Sequence, residues 1–238
     1  MMKSLPESRK KALLALSERL GVVFRDLSLL DQALTHTSFA NESVHRKVVH
    51  NERLEFLGDA VLELFTSEFL YMEYPEKPEG EMTRLRASLV CEEALADAAK
   101  KIALGEYLSL GRGEEHTGGR ERASVLSDAL EAVIGAIYLD GGGEEARIFI
   151  RQFVLTDIKR KELFHDSKTL LQEKVQETPG VKLSYEILDV QGPDHDRRFT
   201  AAAMIDGKVA GKGTGRTKKA AEQEAAYQAL LCMENRKM

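Results

Sequence analysis

Three carboxylates, Glu52, Glu55 and Asp59, stand at i, i+3 and i+7 in the stretch Asn51-Glu52-Arg53-Leu54-Glu55-Phe56-Leu57-Gly58-Asp59. At about 100° per residue they share one narrow arc of a helix. Leu54, Leu57, Val61 and Leu64 are predicted to form the opposite, apolar side. Like charges in a row repel unless a cation lies among them, so the spacing points to a divalent-metal site. A second pair, Asp128 and Glu131, sits at i, i+3 in Ser127-Asp128-Ala129-Leu130-Glu131-Ala132-Val133-Ile134-Gly135. Its apolar neighbours Leu126, Leu130, Val133, Ile134 and Ile137 predict a helix buried on most sides, where acids are rarely left unpaired. Packing the two helices together would gather Glu55, Asp59, Asp128 and Glu131. Oxygen-only ligands select Mg²⁺, with Mn²⁺ as a substitute, over zinc, which prefers His or Cys. Mg²⁺ keeps several of its waters, and its usual partner is phosphate. Taken singly, each acidic pair is also what an ordinary solvated or salt-bridged helix carries. Glu63 falls on the same stripe as Glu52 and Asp59 and is expected to be solvated.

A different set of polar residues lies near the C-terminus. Thr169, Gln172, Glu173 and Gln176 line up at i, i+3, i+4 and i+7 on a short predicted helix whose Leu170, Leu171 and Val175 are expected to face inward. Amides and a carboxylate can hydrogen-bond 2′-hydroxyls and base edges in a shallow RNA minor groove, although a plain solvated face has the same composition. Between Gly207 and Ala221, Lys208, Lys212, Arg216, Lys218 and Lys219 occur without an acid. Lys218 and Lys219 open a helix, where free backbone N–H groups and the dipole already favour phosphate. Cations there oppose the dipole, so an anion partner would relieve a local cost. His195 stands in the loop after the first predicted strand.

The elements that must position these residues fall into two groups. Candidate helices run near 8–20, 26–36, 51–73, 79–87, 90–103, 120–140 and 143–157, with breaks at Gly21, at 74–78, at 111–113 and at 141–143. Beyond them, a helix over 169–177 ends at Pro179-Gly180. Leu183, Tyr185 and Ile187 then alternate with polar residues, as do Phe199, Ala201, Ala203 and Ile205. Asp206-Gly207 predicts a tight hairpin into a third strand near 208–214, and Thr217 is placed to cap a last helix reaching about 233. The fold class is therefore an all-α domain over 1–158, a linker at 159–165 and a small α+β domain of αβββα order over 166–238.

Charge and cysteine usage narrow the setting. The chain of 238 residues has a net charge of −5, which gives no overall nucleic-acid signal. Residues 1–165 carry 22 basic and 28 acidic side chains, a net of −6, whereas 166–238 carry 12 and 11, a net of +1. Any anion binding in the tail must come from local clustering. Cys91 and Cys232 form no Cys-x-x-Cys pair and no disulfide framework, which suits a reducing cytoplasm. The apolar run at 12–16 is too short for a signal peptide, and no window approaches a membrane span. A soluble cytoplasmic protein without membrane or organic-cofactor partners is expected.

The stretch 51–59 closely resembles the nine-residue signature of the ribonuclease III family. The agreement extends to Ala33-Leu34-Thr35-His36-Thr37-Ser38, to Glu79-Gly80-Glu81-Met82-Thr83-Arg84-Leu85-Arg86-Ala87 and to Ser127-Asp128-Ala129-Leu130-Glu131-Ala132. The tail resembles a double-stranded-RNA-binding domain, so the likeness covers nearly the whole chain. The resemblance implies an Mg²⁺-dependent endoribonuclease cutting double-stranded RNA to 5′-phosphate and 3′-hydroxyl ends with short 3′ overhangs. Precursor ribosomal RNA and structured messengers are the substrates it implies. It implies that Glu55, Asp59, Asp128 and Glu131 hold the metal, with Asp59 and Glu131 catalytic and Glu52 and Glu79 as auxiliary acids. It further implies a homodimer in which Phe56 inserts into the partner subunit, and RNA contacts from Gln172, Glu173, His195, Lys218 and Lys219. Ala60 stands where many bacterial members have Ser, which removes a hydroxyl beside the site but no ligand.

Three rival readings remain on the residues. A protein that sequesters duplex RNA without cutting it is compatible with the tail alone, and the intact acid set argues against it. Cleavage through a 2′-hydroxyl calls for a general acid–base pair, often two histidines, and the six histidines offer no such spacing. A carboxylate-bridged di-iron bundle needs two Glu-x-x-His pairs. Glu42-Ser43-Val44-His45 lies in a polar stretch and Glu162-Leu163-Phe164-His165 in the expected linker, so neither belongs to a bundle core.

Overall fold

Residues 123–141 are mostly apolar, and in the computed structural model they form the helix on which the first part of the chain is built. The structure describes residues 5–42, 48–193 and 197–235. It divides into two units between Thr156 and Asp157. In the first unit the helices are α1 (Glu7–Leu20), α2 (Leu27–Ala33), α3 (Thr37–Glu42), α4 (Glu52–Glu73), α5 (Glu79–Leu89), α6 (Glu92–Lys101), α7 (Arg112–His116), α8 (Ala123–Gly141) and α9 (Gly143–Phe153). Single 3₁₀ turns at Leu104–Tyr107 and Gly119–Glu121 connect them. α8 buries Val125, Leu126, Leu130, Val133, Ile134 and Ile137 on successive sides, as a helix apolar all round must.

α4 lies along α8, and two glycines set how close it comes. A Cβ on Gly58 would stand 1.8 Å from the Glu131 carbonyl oxygen, and one on Gly135 would stand 2.3 Å from the Leu54 carbonyl oxygen. The backbones therefore touch at a point flanked by Glu55 on one helix and Glu131 on the other. The N-terminus of α4 is braced by an extended segment before it. Thr35 pairs with Ser109 in a parallel bridge, and the Asn51 N–H donates to the Thr35 carbonyl at 2.9 Å.

Leu64 is 61% exposed, because the contact centred on Gly58 turns a stripe of Leu54, Gly58, Val61, Leu62 and Phe65 inward instead. Glu63 is not simply solvated but pairs with Arg86 of α5 at 2.9 Å. The helix expected over 26–36 stops at Ala33, since Thr35 joins the bridge to Ser109. α3 and α7 leave no signal in the sequence; with six and five residues, neither is long enough to display a helical period.

The second unit comprises α10 (Ile158–His165), α11 (Ser167–Gln176), β1 (Leu183–Gln191), β2 (Arg198–Ile205), β3 (Lys208–Gly215) and α12 (Lys218–Asn235). The strands form an antiparallel sheet in the order β1-β2-β3, with Tyr185 opposite Ala203 and Ala203 opposite Gly211. Asp206 and Gly207 both have positive φ, 48° and 73°, the conformation of the two-residue hairpin that Asp-Gly favours. The core is small-residue rich: Leu171, Val175, Ala201, Ala203, Ala221, Ala225, Ala226, Ala229 and Leu230. Thr217 caps α12, its Oγ1 accepting the Ala220 N–H at 3.1 Å.

The stretch 159–165, expected as a linker, lies in helix α10; Leu163 packs on the core and Phe164 meets the Tyr227 ring edge-on at 5.5 Å. Those two apolar residues find cover on α12, which a charged sequence context concealed. Leu170 is exposed rather than inward, because Leu171 and Val175 at i, i+4 already define the buried line of α11. Among the described residues no helix is long and apolar enough to cross a membrane.

Candidate functional site

The crossing of α4 and α8 brings acids from distant parts of the chain together. Carboxylate oxygens of Glu55, Asp128 and Glu131 all lie within 4.8 Å of one another, and all three residues are half-buried. Asp59, one turn along α4 from Glu55, is exposed and stands at the rim of this group. Its charge is nevertheless the largest influence on Glu131 after burial itself. Glu52 is exposed, lies 3.8 Å from His50 Nδ1 and reaches the group only through its charge on Glu55. Glu79, in the first turn of α5, accepts the Thr83 hydroxyl at 2.8 Å and is not one of the converging carboxylates.

The electrostatics follow from this crowding. Burial, and then the charges of Asp59, Asp128 and Glu55, push the Glu131 carboxyl up to about 8. Burial and then Asp128, Glu52 and Asp59 raise Glu55. Burial raises Asp128 as well, opposed by a hydrogen bond from Ser127 and by the nearby His36. Half-buried carboxylates that resist ionising together are those that a cation would relieve. Oxygen ligands without His or Cys in the converging set suit a hard divalent ion such as Mg²⁺ or Mn²⁺.

His36 is the residue that acid spacing alone did not single out. Its Nδ1 accepts the Ser38 N–H at 3.2 Å and lies 2.8 Å from Ser38 Oγ, which in turn accepts the Gly111 N–H at 2.9 Å. With Nδ1 accepting, the proton of the neutral ring falls on Nε2. The signal available was the run Ala33–Ser38, which carries no periodicity of its own.

Phe56, beside Glu55, is 81% exposed. It continues into a stripe of exposed or half-exposed residues on α4, Ala60, Leu64, Ser67 and Tyr71, at i+4, i+8, i+11 and i+15. A cleft of about 570 Å³ between α4 and α5 opens along that stripe, lined by Leu64, Tyr71, Glu79, Met82 and Arg86 among others.

In the second unit Gln172 and Glu173 are exposed on α11, with Thr169 and Gln176 on the same face. Lys218 and Lys219 are exposed at the start of α12. His195 lies outside the described residues.

Residues 26–158 match the Ribonuclease-III-like family, and residues 167–232 match the Double-stranded RNA binding motif. The chain is 48% identical over 230 residues to a protein named Ribonuclease 3 from Pelotomaculum thermopropionicum, covering 95% of each. It is 51% identical over 217 residues to the Ribonuclease 3 of Heliobacterium modesticaldum, covering 90% of this chain and 92% of that one. The crystal structure of the nuclease domain of ribonuclease III from Campylobacter jejuni is similar at 43% identity and a TM-score of 0.56, covering 60% of this chain and 94% of that domain.

Proposed function

The chain belongs to the ribonuclease III family of endoribonucleases, and from that premise we propose that it cleaves double-stranded RNA with a divalent ion held by Glu55, Asp59, Asp128 and Glu131. The observation that carries this reading is the convergence of Glu55, Asp128 and Glu131 from two helices into one half-buried oxygen cluster. The first domain, residues 1–158, would cut; the second, residues 166–238, would hold the duplex; and α10 would belong with the second.

The ion we propose is Mg²⁺, with Mn²⁺ able to replace it. The chemistry it supplies when bound is the acidification of water as nucleophile and the screening of charge on the scissile phosphate. Asp59 and Glu131 are the catalytic pair in this proposal: Asp59 is open to solvent, while Glu131 is half-buried. Glu131, protonated to about pH 8 while its neighbours are charged, would release its proton when positive charge enters the cluster. Glu52 and Glu79 would act as auxiliary acids from outside it. The products are 5′-phosphate and 3′-hydroxyl ends with short 3′ overhangs, and the substrates are precursor ribosomal RNA and structured messengers.

Gln172 and Glu173 of α11, with His195, are proposed to reach successive minor grooves, while Lys218 and Lys219 span the phosphates between them. The enzyme would be a homodimer, the exposed Phe56 entering the α4–α5 cleft of a second copy so that each site takes one strand. Free thiols at Cys91 and Cys232 accord with work in a reducing cytoplasm.

Incubation with a perfect RNA duplex, with and without Mg²⁺, tests the reading. Glu131→Gln is expected to retain duplex binding within about twofold and to lose cleavage by about 10³-fold or more, the scale of a missing electrostatic group. Cyclic-phosphate ends, or cleavage by the variant at the parent rate, would refute the metal-assisted route.

A further inference from the structure

Lys168, the second residue of α11, sits where a cation opposes the helix dipole, and it is held by two groups. Its Nζ binds Glu222 Oε2 of α12 at 2.7 Å and lies 4.4 Å from the centroid of the Tyr185 ring. The lysine is thus fixed between a carboxylate and an aromatic face, and both ionic partners are half-buried. The Tyr185 hydroxyl beneath it is buried without a hydrogen-bond partner, and burial followed by the Glu222 charge pushes it up to about 12. Neighbouring bonds lock the same contact: Ser167 Oγ donates to the Gln223 carbonyl at 2.9 Å, and Gln223 Nε2 donates to the Phe164 carbonyl at 2.6 Å.

Glu222 has other possible partners. It lies at i+4 from Lys218 and i+3 from Lys219, the spacings at which helix side chains pair. Among the described residues neither lysine has an ion-pair partner, and the next acid, Glu224, accepts the Gln228 amide at 2.8 Å. The choice of partner has a physical reason. A half-buried pair resting on an aromatic face outcompetes an exposed pair along a helix, which is among the weakest of ion pairs.

We infer that Lys168 is a positioning residue for RNA binding: by engaging Glu222 it withholds that carboxylate from Lys218 and Lys219 and leaves both ammonium groups free for duplex phosphates. The inference rests on the RNA-binding reading proposed above. It separates Lys168 from an ordinary structural ion pair, because loss of either partner of a structural pair should be similarly harmful. Here the two losses differ in sign. Without Lys168, Glu222 can turn to the lysines and compete with phosphate; without Glu222, no competitor remains.

The test uses the full chain in chelator, so that the duplex is bound and not cut. Affinity for an RNA duplex is measured across a salt series for the parent, Lys168→Met, Glu222→Gln and the double variant. Lys168→Met is expected to bind about tenfold more weakly, with a salt slope shallower by about one phosphate contact. Glu222→Gln should bind at least as tightly as the parent, and the double variant should return to within about twofold of it. Glu222→Gln as damaging as Lys168→Met, or a double variant no better than Lys168→Met, would overturn the inference. The double variant carries the same loss of Lys168, so its affinity decides the matter even where Lys168→Met folds poorly, and thermal melts identify that case. Failure of the parent chain to bind duplex at all would instead remove the RNA-binding reading.

Discussion

Among the described side chains Glu131 is the one on which burial and charge act most strongly, and the direction of its response can be measured without substrate. In the unfolded chain its carboxyl titrates near the ordinary 4.5; in the folded unit it is held up to about 8. A carboxyl raised by folding favours the native state while both forms are protonated. That advantage, whole below about 4.5, is lost as pH rises through about 8. In chelator, the melting temperature should therefore fall between pH 5 and pH 9, by a few degrees once solvent screening at this partly open site is allowed for. Glu131→Gln should flatten the fall and melt higher than the parent at pH 9, whereas an unchanged pH slope would remove Glu131 as its source. The acids themselves were legible in the chain, because i, i+3 and i+7 spacing survives without knowledge of any partner. The standing of Asp59 at the rim was not legible, since exposure at one step along a helix depends on what packs against the next.

At the scale of elements, the site exists because two helices touch at glycines. Gly58 and Gly135 carry no side chain at the crossing, and the neighbouring carboxylates are drawn together by that contact. Alanine normally favours a helix over glycine by about 1 kcal/mol. At Gly58 the added methyl would meet the Glu131 carbonyl at 1.8 Å, and overpacking of this kind costs about 1–3 kcal/mol or more, so packing outweighs propensity. Gly58→Ala is expected to lower stability by about 2 kcal/mol net and to weaken Mn²⁺ binding by displacing Glu131, read by denaturant melts and by the Mn²⁺ spectrum. Gly80→Ala is the control: nothing stands within 4 Å of its Cβ position on α5, and it should stabilise by about 0.5 kcal/mol. A Gly58→Ala protein as stable as the parent would mean the helices do not cross there. The long helices of the first unit were legible from their period, and the αβββα order from alternation and the Asp206-Gly207 turn. The phase of α4 is not legible at Leu64, because an apolar stripe names a buried face only once its partner is known.

At the scale of the whole molecule, the exposed stripe on α4 bears on assembly. Phe56, Leu64 and Tyr71 are 81%, 61% and 70% exposed, and large apolar side chains in a row seldom face water without purpose. The homodimer is an expectation from family likeness rather than pattern, for Phe56 taken alone reads as one more core aromatic. That α10 folds with the second unit is hidden in the sequence, because Leu163 and Phe164 lie in a run of charges and their cover on α12 comes from about 60 residues away. If the stripe is the seam between two copies, Phe56→Ala should weaken self-association about 30-fold or more, the scale set by an aromatic anchor at an interface centre. Because Phe56 touches little of its own chain, each unit should keep its fold, leaving the far-ultraviolet dichroism of the variant unchanged. Sedimentation across a dilution series separates the two effects. A variant that dissociates and loses cleavage in proportion supports a dimer in which each copy cuts one strand, whereas a variant that remains dimeric places the seam elsewhere on the surface.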